Sequence, residues 1–116
     1  MSIEVKICGI TSRDDALYSL DLGADYLGFV LYSKSARAIK EDALCGLLDK
    51  LGRKCRPVGV FVNESPANVE KVASGCGLYA VQIISDKIIP EDAVNENSTA
   101  VEKTRLLSVF LTPVVR

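Results

Sequence analysis

Val5-Lys6-Ile7-Cys8-Gly9-Ile10-Thr11 is the stretch that decides the fold. Read as a strand with a period of two, Val5 and Ile7 point one way while Lys6 and Cys8 point the other. A strand of a parallel sheet is normally covered on both faces and reads as a continuous apolar run. Lys6 breaks that pattern, because a buried ammonium is costly unless something pairs with it. Cys8 ends the run, and Gly9 lets the backbone turn tightly. One face therefore carries a cation and a thiol at the carboxyl end of a strand, where parallel α/β folds place their chemistry.

Outward from this strand the period becomes helical. Thr11 or Ser12 caps a helix with Asp14 and Asp15 in its first turn, Ala16, Leu17, Leu20 and Leu22 as its apolar stripe, and Gly23 at its end. Tyr26 to Leu31 reads as a buried strand, and residues 32–37 as a polar, basic loop. A second helix starts near Lys40 or Glu41, turns Leu44, Leu47, Leu48 and Leu51 inward, and stops at Gly52. Pro57 to Val62 is a third strand. Ser65-Pro66 opens a third helix with Val69, Val72, Ala73 and Cys76 inward, closed by Gly75 and Gly77. Leu78 to Ile84 is a fourth strand. Gly28 and Gly59 occupy matching places in their strands, a weak internal repeat of one strand–helix unit. Units recurring about every 30 residues predict a parallel βα series. The segment 86–105 reads as irregular and polar, and Leu106 to Leu111 as a fifth strand.

The chain of 116 residues is long enough for one domain, 1–116, with a single core. A net charge of −1 gives no electrostatic case for nucleic acid or an anionic membrane. No apolar run reaches the roughly 20 residues that span a bilayer, and the first residues lack a signal-peptide pattern. These features predict a cytoplasmic protein. There is no histidine, so acid/base chemistry falls to Cys, Asp, Glu, Lys or Tyr. The four cysteines are widely spaced, and in that compartment a disulfide is not expected. Cys45, Cys55 and Cys76 read as structural.

Four blocks resemble phosphoribosylanthranilate isomerase of tryptophan biosynthesis: Lys6 to Thr11, Gly23 to Val30, Tyr32 to Arg37, and Val58 to Asn63. Their order and spacing match that family's amino-terminal half over roughly residues 3–85. The resemblance implies a (βα)8 barrel and an Amadori rearrangement of N-(5-phosphoribosyl)anthranilate to the 1-deoxyribulose 5-phosphate product, with no metal or organic cofactor. It also implies that Cys8 is the general base and that Arg37 grips the anthranilate carboxylate. The chemistry suits both roles, since a thiolate needs a nearby cation and an Arg fork matches a carboxylate.

Departures accompany the resemblance. Where the family's fourth strand reads Val-Gln-Leu-His-Gly, this chain has Val81-Gln82-Ile83-Ile84-Ser85. The family's sixth-strand acid and its phosphate loops after strands seven and eight have no counterpart here. A chain diverging after about residue 85 is thus expected to form about four βα units plus a fifth strand. That makes either an open flavodoxin-like sheet or a half-barrel completed by a second chain, as a homodimer or with a complementing carboxyl-terminal half. The alternative expectation is a half-barrel without catalysis: a pseudoenzyme, a truncated gene product or a small-ligand binding module.

Each candidate has a plainer reading beside the functional one. Without its block, Cys8 is a buried core thiol and Arg37 a solvated charge. Lys6 is either a lysine snorkelling at the sheet edge or a cation that favours the Cys8 thiolate. Asn63 and Gln82 contact ligand or satisfy loop backbone groups. Asp86 follows the fourth strand on the catalytic side and is the nearest surrogate acid. Asp25, at an amino end, reads as structural.

Overall fold

The structure is a computed structural model that describes residues 3–84. Strand β1 (Lys6–Cys8) leads to α1 (Arg13–Asp21), β2 (Tyr26–Val30), α2 (Glu41–Leu51) and a 3₁₀ turn (Gly52–Lys54). Then come β3 (Pro57–Val62), α3 (Pro66–Cys76) and β4 (Ala80–Ile84). The segment 86–105, Asp86 and the proposed fifth strand lie outside the described residues.

Local chemistry sets most of these boundaries. The Ser12 hydroxyl accepts a hydrogen bond from the Asp15 N–H at 3.2 Å, and Ser65 accepts one from Asn68 at 3.2 Å. Each satisfies an N–H that a helix start would otherwise leave open. Gly77 ends α3 at φ +69°, in the left-handed region that glycine enters without a steric penalty.

All neighbouring strands pair in parallel, in the order β1-β2-β3-β4. This order has no reversal, and a doubly wound sheet requires one. The flavodoxin-like alternative therefore does not describe these strands. Right-handed crossovers in unbroken sequence put every helix on the same side. Accordingly Leu27, Phe29, Phe61 and Val81 share one core with Ala16 of α1, Leu44 and Leu48 of α2, and Val69 and Val72 of α3.

The opposite face carries the register row Cys8, Gly28, Val58 and Ala80, and a second row of Val30, Val60 and Gln82. This face is concave, as one contact demonstrates: the Lys6 ammonium on β1 donates to Gln82 Oε1 on β4. In a flat sheet three strand spacings would hold those strands about 14 Å apart. Lys6 pairs with Tyr26, four residues before Val30 in Gln82's row, which adds about 13 Å along the strands. A staggered, curled sheet brings the two together.

Several sequence expectations change. On α1, Ala16 and Ser19 are buried whereas Leu17, and Leu22 just past the helix end, are 38% and 70% exposed. The inward face follows 16, 19 and 20, and small residues at 16 and 19 let the helix lie close to the sheet. Gly28 and Gly59 are not equivalent: Gly28 pairs with Val58 and Phe29 with Gly59, so the glycines face opposite sides. On β1 it is Lys6 that is buried, while Ile7, and Val5 just before the strand, are 40% and 46% exposed, because β1 is an edge among the described strands. Finally, Cys45 and Cys76 form a disulfide between α2 and α3, with Cα atoms 4.7 Å apart. The expectation of free thiols rested on compartment, whereas the packing of these two helices decides the pairing.

Candidate active site

The carboxyl end of β1 is shaped by glycine. Gly9 turns at φ +86°, and the N–H groups of Gly9 and Ile10 both donate to the Gly28 carbonyl, at 3.0 and 3.1 Å. That arrangement presents the half-buried Cys8 thiol at the rim of the concave face. Gly28 makes room for it: a Cβ there would lie 2.8 Å from Cys8 Sγ. A glycine inside a strand often marks such a close approach, a signal in the sequence that identifies Gly28 as a neighbour of the site.

Arg37 comes to the same rim from the loop after β2. Within that loop Ser35 donates to the Tyr32 carbonyl at 3.0 Å, and Ser35 Oγ accepts from Arg37 N at 3.2 Å. Ile39 then returns to the sheet by donating to the Val30 carbonyl at 2.9 Å. The stem of Arg37 lies over Gly9, so close that a Cβ there would sit 2.6 Å from Arg37 Cδ. The guanidinium is exposed and adjacent to the Cys8 turn.

Beneath the rim, Lys6 is 7% exposed and Gln82 is wholly buried. Their contact removes the snorkelling reading of Lys6 and the loop-backbone reading of Gln82. Burial pushes the Lys6 ammonium below its ordinary 10.5, and the negative charge that Cys8 can carry pulls it back up. Lysine offers donors alone, so the Gln82 oxygen must face it and the amide nitrogen must face away. Gln82 Nε2 has no hydrogen-bond partner among the described residues. Asn63 follows β3 at φ +50° and donates its N–H to the Ile84 carbonyl at 2.9 Å, which places it at the carboxyl ends too. The structure thus joins Lys6 to Gln82 and Arg37 to the Cys8 turn, with Asn63 on the same rim.

The amino ends hold a separate cluster. The Tyr26 hydroxyl donates to Glu4 at 2.7 Å, Arg56 lies 3.7 Å from Glu4, and the Arg56 guanidinium stands 5.7 Å from the Tyr26 ring centre. Asp25 accepts from Val5 N at 2.8 Å. These contacts tie strand starts together, in keeping with a structural role for Asp25.

Sequential parallel winding with every helix on one side of the sheet defines a barrel-type βα protein. A family profile described as "N-(5'phosphoribosyl)anthranilate (PRA) isomerase" matches residues 5–111, and the chain belongs to that family. The match runs past residue 85. The isomerase of Trichlorobacter lovleyi is 45% identical over 85 residues, covering 73% of this chain and 42% of that protein. The isomerase of Thermotoga neapolitana is 45% identical over 87 residues, covering 75% and 42%. Among solved structures, the Thermotoga maritima enzyme superposes with a TM-score of 0.72 at 42% identity, covering 79% of this chain and 44% of that one. An isomerase solved with reduced 1-(o-carboxyphenylamino)-1-deoxyribulose 5-phosphate gives 0.72, with 42% identity and 79% and 46% coverage. The chain therefore spans less than half the length of these four relatives. Among the described residues, no helix is long and apolar enough to cross a membrane.

Proposed function

We propose that the chain supplies the amino-terminal, base-bearing half of a phosphoribosylanthranilate isomerase site in a cytoplasmic (βα)8 enzyme. The observation that carries this reading is the placement of Cys8 at the carboxyl end of β1, beside Arg37 and Gly28, in a chain of that family. In the reaction, an acid protonates the ring oxygen of N-(5-phosphoribosyl)anthranilate and the ring opens to a Schiff base. The Cys8 thiolate then removes the C2 proton, and the enolamine formed collapses to the 1-deoxyribulose 5-phosphate product. Arg37 holds the anthranilate carboxylate, and its exposed fork beside Gly9 suits that task. Lys6 and Asn63 bind the sugar portion, and Gln82, the remaining member of the substrate-binding set, acts there through Lys6, whose ammonium its amide oxygen holds.

The general acid and the phosphate cradle come from beyond the four strands. Asp86 is the nearest surrogate acid in sequence. The barrel is completed by a carboxyl-terminal half or by a second copy about a two-fold axis. The sequential winding and the curl of the sheet support a half-barrel unit.

The test is turnover. Purified chain, alone and mixed with the carboxyl-terminal half of a relative, is incubated with fresh phosphoribosylanthranilate while substrate fluorescence is followed. Loss of fluorescence that disappears in Cys8→Ala is the expected result. Equal traces for the two proteins in both mixtures would overturn the assignment of Cys8.

A further inference from the structure

We infer that Gln82 is a positioning residue for Cys8: its amide oxygen holds the Lys6 ammonium on the face of the sheet that the thiol shares, without cancelling the charge. This rests on the reading of Cys8 as the proton acceptor, but it stands on geometry that can be tested apart from turnover.

The geometry is specific. Gln82 is wholly buried, and it reaches across the concave face to a strand three places away. The residues beside it on that face, Ala80 and Ile84 on β4 and Val60 opposite on β3, are apolar. Gln82 is therefore a polar side chain set deliberately among hydrocarbon, and Lys6 is its partner. Lys6 and Cys8 are two residues apart on one strand, so their side chains share a face.

A buried lysine resting against hydrocarbon would shed its proton or turn away from the site. A carboxylate in place of Gln82 would keep the ammonium charged, yet would neutralise its field at the neighbouring thiol. An amide avoids both outcomes. It accepts from the ammonium, fixes its place, and leaves the positive charge uncancelled on the face that Cys8 shares. The charged and titratable groups around Cys8 among the described residues are Lys6 on its own strand and Arg37 over Gly9 from the loop after β2. The β2 residue opposite is Gly28, which carries no charge. Arg37 is exposed and its field is screened by water, so the buried Lys6 is the stronger influence.

Iodoacetamide reports thiolate directly. Its rate of reaction with Cys8 in the 116-residue chain is read by mass spectrometry of the Cys8 peptide, which separates it from Cys55. The expected outcome at pH 7 is a roughly five- to tenfold slower rate in Gln82→Glu, whose side chain is nearly isosteric and keeps the hydrogen bond. Gln82→Leu slows the reaction similarly, and all the rates converge near pH 10, where a thiol ionises unaided. In Lys6→Met, adding Gln82→Leu produces no further slowing, because Gln82 acts through Lys6; a further slowing there would overturn the inference. A wild-type rate for Gln82→Glu at pH 7 would overturn the inference. So would an equal loss at pH 7 and pH 10, since that marks altered access. Should the isomerase assay fail while these rates hold, the catalytic reading falls and the positioning role remains.

Discussion

The two faces of the sheet are built from the same four strands and obey different rules. The helix side is a continuous hydrocarbon layer in which Leu27, Phe29, Phe61 and Val81 have 1% exposure or less. The concave side mixes valines with a lysine, a glutamine and a thiol, and leaves one amide nitrogen without a partner among the described residues. One face holds the fold together through area removed from water. The other gives up some of that stability to keep polar groups buried in fixed places. Stability and chemistry are therefore divided by the strand's alternation, residue by residue.

The largest effect that can break this contrast lies on the helix side. Phe61→Ala should cost about 3–5 kcal/mol in urea unfolding, because the ring fills space between β3 and the helices. A loss under about 1 kcal/mol would mean that this face is not the stabilising one. The two strand glycines sharpen the comparison at an intermediate scale. In Gly59→Ala the new methyl meets Leu78 Cδ1 at 2.7 Å and Phe61 Cε2 at 3.0 Å, which costs about 1–3 kcal/mol and leaves Cys8 alkylation unchanged. In Gly28→Ala the methyl meets Cys8 Sγ at 2.8 Å and its Cα at 3.1 Å, so Cys8 reactivity changes as well. Identical consequences for the two variants would erase the division between faces.

The smallest effect is a pH dependence. Burial lowers the Lys6 pKa, so the unfolded chain holds a proton that the folded chain has released in the window just below 10.5. Stability therefore rises with pH through that window as the cost of the buried ammonium disappears. In a Cys8→Ala background, the advantage of Lys6→Met over Lys6 should shrink between pH 7 and 10.5. Burial raises Tyr26 and pushes the Cys55 thiol up to about 11, which acts in the opposite direction. Both variants share those groups, so they cancel in the difference. A constant difference would show that folding leaves Lys6 ionisation unchanged.

Much of this was legible in the residues because its causes are local. Ser12, Ser65, Gly52 and Gly77 mark helix ends by their own hydrogen bonding or backbone freedom, and β3 is bounded as its apolar run indicates. The α1 stripe was not legible, since Ala16 and Ser19 are buried for their small size and carry little hydrophobic signal. The glycine repeat misled because strand register, which sets the face, depends on the neighbouring strand. Lys6 and Gln82 could be named separately, but their meeting depends on curvature across residues 76 positions apart. The disulfide likewise needed the contact of two helices.

That disulfide has a consequence for how the molecule breathes. Cys45 and Cys76 close a covalent ring of chain that contains most of α2 and all of β3 and α3. Neither helix can drift from the sheet without carrying its tethered neighbour, so their opening is one cooperative event. Helix α1 lies outside the ring, with Leu17, Tyr18 and Leu22 turned to solvent. Amide exchange should thus divide the described chain into a slow block from α2 to α3 and a faster one around α1, a boundary drawn by one sulfur–sulfur bond.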